Sequence, residues 1–188
     1  MSEINYGPLA ALIGTWKGDK GTDIAPESDG SEENNPYFET ISFEAFGDVD
    51  NADTQVLAVL HYKQIVQRQE NDNVFHHQTG YWSWDAATGA ITHSFSIPRG
   101  VAVVACGKVL DEEDSDPNIP EIKVLAEESG FHGGIVQAPF MKNNARTTAF
   151  EQKLTLDGDT LHYKQTIMLD IYNRTFEHTD TNQLTRQV

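Results

Sequence analysis

Apolar and polar residues alternate along most of this chain in short runs, divided by turn-forming residues rather than by long amphipathic stretches. Tyr37-Phe38-Glu39-Thr40-Ile41-Ser42-Phe43 is dense in aromatic and β-branched side chains with polar ones between, the pattern of a strand. The same test predicts strands over residues 54–67, 75–84, 91–97, 101–106, 122–125, 147–156, 161–169 and 175–188. Asp157-Gly158-Asp159, set between two alternating runs, is a strong hairpin signal. Near the N-terminus the apolar run from Pro8 to Ile13 is brief and stops at Gly14, which predicts one short helical turn over residues 5–13, placed across an open end. Gly14-Thr15-Trp16-Lys17-Gly18 then begins the first strand. Its glycines allow close approach, and Trp16 is large enough to plug the floor of a small barrel.

Three stretches break the rhythm. Residues 19–35 gather Asp23, Glu27, Asp29, Glu32 and Glu33 with Pro26 and Gly30, and this composition predicts a long acidic loop. Residues 111–120 predict a second. Residues 128–144 contain three glycines, Pro139, Phe131, Phe140 and Met141, too irregular for a strand and too apolar for a free tail, and are expected to fold over the barrel mouth.

About ten strands in order, with mostly short connections and no long amphipathic helix, predict an all-β fold: an antiparallel up-and-down β-barrel with a short N-terminal helical turn. An open sandwich is the alternative closure. A length of 188 residues fits a single domain, 1–188, and no repeat of fixed period divides it.

Charge narrows the partners. With 29 acidic against 13 basic residues the formal net charge is −16, which repels phosphate backbones and anionic lipid, so neither nucleic acid nor membrane is an expected partner. A single cysteine, Cys106, excludes an internal disulfide, and the first residues have neither a basic region nor a long apolar run. A cytoplasmic location is the resulting expectation.

Familiar catalytic spacings are missing: there is no Gly-x-Ser-x-Gly, no His-Glu-x-x-His and no Cys-x-x-Cys. Asp114-x-Asp116-x-Asn118 imitates the start of a calcium loop, but Ile119 stands where glycine is needed, so a solvated acidic loop is the better reading. The histidines are His61, His76, His77, His93, His132, His162 and His178. Zinc needs three or four converging ligands, whereas haem needs only one axial protein ligand, so one well-placed histidine in an apolar barrel is the more economical hypothesis.

At this point the residues resemble the nitrobindin family of haem-binding β-barrels, similar in shape to lipocalins and fatty-acid-binding proteins. Gly14-x-Trp16-x-Gly18 is similar to the family's Gly-x-Trp-x-Gly-x-Gly signature, with Lys20 at the last glycine and Gly21 one place late. Leu60-His61-Tyr62-Lys63-Gln64, His76-His77-Gln78-Thr79-Gly80-Tyr81, Ile97-Pro98-Arg99-Gly100, Gly158-Asp159-Thr160-Leu161-His162-Tyr163 and Leu184-Thr185-Arg186 resemble successive family blocks in the same order. The resemblance implies a ten-stranded barrel holding ferric haem b, with His178 as the axial ligand of the iron, His76 on the opposite side and Met168 in contact with the haem. It also implies nitric oxide binding or isomerisation of peroxynitrite to nitrate, and it allows a homodimer.

The register departs by one residue. Counting back from Leu184-x-Arg186, the family position of the histidine falls on Thr179; counting forward from Tyr163, Met168 comes one residue late. Either a pair of bulges carries the Met168–His178 segment and keeps both side chains inward, or His178 faces outward and haem is not bound. The alternative function is a non-enzymatic barrel for a fatty-acid-like or other small hydrophobic ligand, its carboxylate fixed by Arg186, Arg174 or Lys164.

Overall fold

The computed structural model describes residues 4–110, 119–128, 130 and 133–187. Among the described residues eleven strands follow a short 3₁₀ helix, Gly7–Leu12: β1 Gly14–Pro26, β2 Glu32–Ala52, β3 Gln55–Arg68, β4 Val74–Asp85, β5 Ile91–Ile97, β6 Val101–Val109, β7 Glu121–Glu127, β8 Gly133–Gln137, β9 Ala145–Asp157, β10 Thr160–Ile171 and β11 Arg174–Gln187. One short helix, α1 (Pro139–Asn144), precedes β9. All pairings are antiparallel and run in chain order from β1 to β7, then through β9 and β10 to β11, which pairs back onto β1. Ten strands thus close a barrel. The short β8 pairs with the part of β6 that β7 leaves uncovered.

Alternation decides the inside. On β2, Tyr37, Glu39, Ile41 and Phe43 are buried while Phe38 and Glu44 are exposed. On β11 the even-numbered Phe176, Asn182 and Leu184 are buried. The N-terminal end of the barrel is packed solid: Leu9, Leu12 and Trp16 are completely buried in one cluster with Ile41, Leu60, Ile91 and Leu184. Trp16 Nε1 donates to the Leu12 carbonyl at 2.8 Å, which ties the helix to the first strand.

Two expectations need correction. The acidic stretch 19–35 is not a loop: β1 continues to Pro26, β2 starts at Glu32, and Ala25 pairs with Glu33 across a tight turn. All of its acidic residues named above except Asp23 point to solvent from a paired ribbon, a satisfied backbone arrangement that composition alone does not reveal. The irregular stretch 128–144 holds a strand, β8, and the helix α1, with Phe140 and Met141 at the mouth as expected. The second acidic stretch falls largely on 111–118, outside the described residues, together with the calcium-like Asp114-x-Asp116-x-Asn118 and His132.

The displaced glycine has a structural cause. On β1, Gly18 pairs with Glu39 but Gly21 with Tyr37, so β1 holds one residue more than its partner: a bulge. Before it Trp16 and Gly18 have the inward parity; after it Gly21 and Asp23 do, and Asp23 is buried. Gly21 lies under the Tyr37 ring, and a Cβ there would meet the ring at 2.1 Å. Gly21→Ala is therefore expected to cost about 1–3 kcal/mol by overpacking, read as a fall in the urea midpoint, and less in a Tyr37→Leu background where the ring is absent.

Candidate functional site

The end of the barrel away from Trp16 encloses a cavity of about 530 Å³, bounded by the turn after β5, the helix α1 and the β10–β11 hairpin. That volume falls in the range of small-molecule and cofactor sites. Its walls are mainly apolar, with Val66, Ile97, Val101, Ile167 and Leu169 among them. A cluster of polar groups lies on one side, from adjacent strands: Asp23 of β1, Gln165 of β10, and His178 and Asp180 of β11, with His76 of β4 also on the wall.

His178 faces the cavity. No bulge in β10 or β11 turns it there, because the β10–β11 pairing is continuous from Thr160↔Thr185 to Ile171↔Arg174. Its parity is that of Leu184 and Asn182, and the outward position is Thr179. The irregularity lies in β1, which swings Asp23 inward against it. His178 Nε2 stands 2.7 Å from Asp23 Oδ1 and 3.8 Å from Asp180 Oδ2. Burial pulls the imidazole pKa down, but the Asp23 hydrogen bond and the charges of Asp180 and Asp23 outweigh it and leave the value raised. Asp180 is pushed up to about 6 by burial and by the Asp23 charge, against the opposing pull of His178 and Gln165.

His76 also lies on the cavity wall. Its Nε2 is 3.2 Å from Gln78 Oε1, and Gln78 in turn donates to the Tyr62 hydroxyl at 2.5 Å. Burial, aided by the nearby His178, lowers its pKa and keeps it neutral. Met168 is placed differently. It sits between Ile167 and Leu169, which line the cavity, on a strand whose pairing with β11 is regular, so its side chain belongs to the opposite face.

The proposed carboxylate anchors are elsewhere too. Arg186 lies 4.2 Å over the Trp16 ring and donates to the Ile13 and Ala11 carbonyls at the packed end. Arg174 donates to the Gly30 and Ser31 carbonyls, and Lys164 is exposed on the outer face. The cation on the cavity is Arg99, in the turn after β5.

Below the cavity floor is a polar group that sequence reasoning missed. Glu39 is 3% exposed and accepts hydrogen bonds from Gln64 Nε2 at 2.5 Å, Asn182 Nδ2 at 2.7 Å and the Tyr163 hydroxyl at 3.0 Å. The Tyr163 and Tyr37 hydroxyls are 2.7 Å apart. Burial raises the Glu39 pKa to about 7 despite those donors.

A closed up-and-down barrel, packed at one end and hollow at the other, with an apolar wall and an imidazole on it, defines a small-ligand-binding β-barrel. The chain belongs to the family of THAP4-like haem-binding β-barrel domains, whose model matches residues 5–186. This is the nitrobindin family that its motifs resemble. Among solved structures it is similar to Rv2717c from M. tuberculosis, with a TM-score of 0.70 and 20% identity over 98% of this chain and 100% of that one, a likeness of fold. No curated protein matches it. Among the described residues no helix is long and apolar enough to cross a membrane.

Proposed function

We propose that the barrel binds haem b in the cavity with His178 as the axial ligand, and that it serves nitric oxide binding or the isomerisation of peroxynitrite to nitrate. The observation that carries this reading is the position of His178, an imidazole on the wall of an apolar cavity in a chain of a haem-binding family. The residues present fit the group in three respects: the cavity volume, its apolar walls, and Arg99 at the rim as a partner for a propionate. When bound, haem supplies a Lewis-acidic iron for the nitrogen oxide ligand.

The chain's own residues do the rest. Ile167, Leu169 and Val101 exclude water, and His76 presents a neutral imidazole held by Gln78. Ligation by Nε2 requires neutral His178 and therefore release of the Asp23 contact. Asp23 thus opposes haem loading, and its removal favours it.

Haem titration of the purified protein tests the reading. A saturable Soret band is expected for the wild type, its loss or a large shift in His178→Ala, and equal or tighter loading in Asp23→Asn. A fully loaded His178→Ala protein with an unchanged spectrum would overturn the ligand assignment. Absence of saturable haem binding, with lipid retained on mass spectrometry, would favour the alternative of a fatty-acid-like ligand held by Arg99.

A further inference from the structure

The polar side of the cavity carries more than an axial histidine needs. One ligand atom each from Asp23, His178 and Asp180 lies within 4.8 Å of the others. Two strands supply them, β1 and β11, where Asp23 and Asp180 are directly paired. Carboxylates placed directly opposite across a ladder repel each other, and a single imidazole offsets that only in part. The separations from His178 Nε2, 2.7 Å to Asp23 and 3.8 Å to Asp180, bracket the roughly 3–3.5 Å between neighbouring ligand atoms around a tetrahedral ion with bonds of about 2.0–2.2 Å.

A second observation is an unpaired acceptor beside the cluster. Gln165 is 6% exposed on the cavity wall beside the cluster. Its Nε2 donates to Asp180 Oδ2 at 3.1 Å, but its buried Oε1 has no hydrogen-bond partner. Buried amide oxygens are seldom left unpaired, and a carboxamide oxygen is an acceptable donor to a hard or borderline cation. Around the cluster stands an outer layer: Asn35 Nδ2 is 3.4 Å from the other Asp23 oxygen, and Arg68 donates to Asn35 Oδ1. Such contacts orient metal-ligating carboxylates.

We propose that Asp23, His178 and Asp180, with Gln165 beside them, form a binding site for a first-row divalent cation of the zinc or cobalt type. Mixed nitrogen and oxygen donors without sulfur suit such ions, and three converging donors are too few for the six to eight oxygens of calcium. Because the cluster lies on the cavity wall, the ion keeps a face toward the cavity, as in open metal sites rather than closed structural ones. The site does not rest on the haem reading. Both draw on His178 Nε2, so one barrel holds haem on that nitrogen or the divalent ion, not both.

The test is titration of the haem-free, full-length protein with Co²⁺, followed by its visible d–d bands, and equilibrium dialysis against Zn²⁺ with the bound metal counted. One ion per chain is expected. Asp180→Asn and Asp23→Asn should each weaken binding at least tenfold, while Glu177→Gln, an exposed carboxylate on β11, should leave it unchanged. Folding of each variant is read from its melting transition. In the wild type itself, saturating Zn²⁺ should move the imidazole resonances of His178 in the proton NMR spectrum. No saturable uptake, unmoved His178 resonances, unchanged affinity in both folded Asp variants, or an equal loss in Glu177→Gln would each overturn the site. Asp23→Asn separates the two readings, since it should lose Co²⁺ and keep or gain haem.

Discussion

Trp16→Ala is expected to lower the unfolding free energy by roughly 4.5–7 kcal/mol, read from urea denaturation. The indole is completely buried, and truncating a buried tryptophan costs about 3–5 kcal/mol from lost transfer energy and the cavity left behind. Two further losses add to it. The Leu12 carbonyl loses its 2.8 Å donor, about 1 kcal/mol, and the Arg186 guanidinium loses the ring 4.2 Å beneath it, about 0.5–1 kcal/mol. Arg186 also holds the Ile13 and Ala11 carbonyls at the end of the 3₁₀ helix, so the helix, β1 and β11 loosen together. Trp16→Phe keeps most of the packing and is expected to cost much less, about 1–2 kcal/mol. A loss below 2 kcal/mol in Trp16→Ala would show that the packed end is not what closes the barrel. Because the cavity is at the other end, the folded fraction of either variant should retain the ligand behaviour of the wild type.

Most of the barrel was legible because its strands alternate. Tyr37, Ile41 and Phe43 announce an inward face, and Asp157-Gly158-Asp159 forms the hairpin it signals, with Thr160 paired to Asp157. What failed was the inference from local composition to backbone. The ribbon around Ala25 and Glu33 is dense in charge, and its pairing is decided by the strand opposite, not by its own residues. The site divides the same way. His76 and His178 are visible through the family blocks, and both reach the cavity. The bulge that turns Asp23 toward His178 lies in β1, and Asp23 itself is 155 residues away from that histidine, so no reading confined to β11 reveals it. Glu39 could have been noticed as a carboxylate on the inward parity of a strand with Tyr37 and Ile41. Its partners on β3, β10 and β11 were beyond local reach.

Glu39 should make the barrel less stable as pH rises from about 4.5 to about 7. An unfolded glutamate ionises near 4.5, whereas burial among Gln64, Asn182 and Tyr163 raises the folded value to about 7. Across that window the folded state binds more protons than the unfolded chain, so this group's contribution falls with pH; below 4.5 both states are protonated, and above 7 the full penalty remains. The shift corresponds to a difference on the order of 3 kcal/mol. Glu39→Gln removes the titration while keeping the side-chain shape, so the variant should gain on the wild type by up to that amount between pH 4.5 and 7.5, in paired urea unfolding curves. Comparing the two proteins cancels the other titrating groups, His93 among them, which burial holds at about 3 and which acts in the opposite sense as pH falls below its unfolded value of 6.5. A constant difference between the curves would mean that Glu39 is already ionised in the folded barrel at pH 5. The donors around it would then have to overcome its burial, and the two tyrosine hydroxyls would stand beside a buried charge rather than a buried acid.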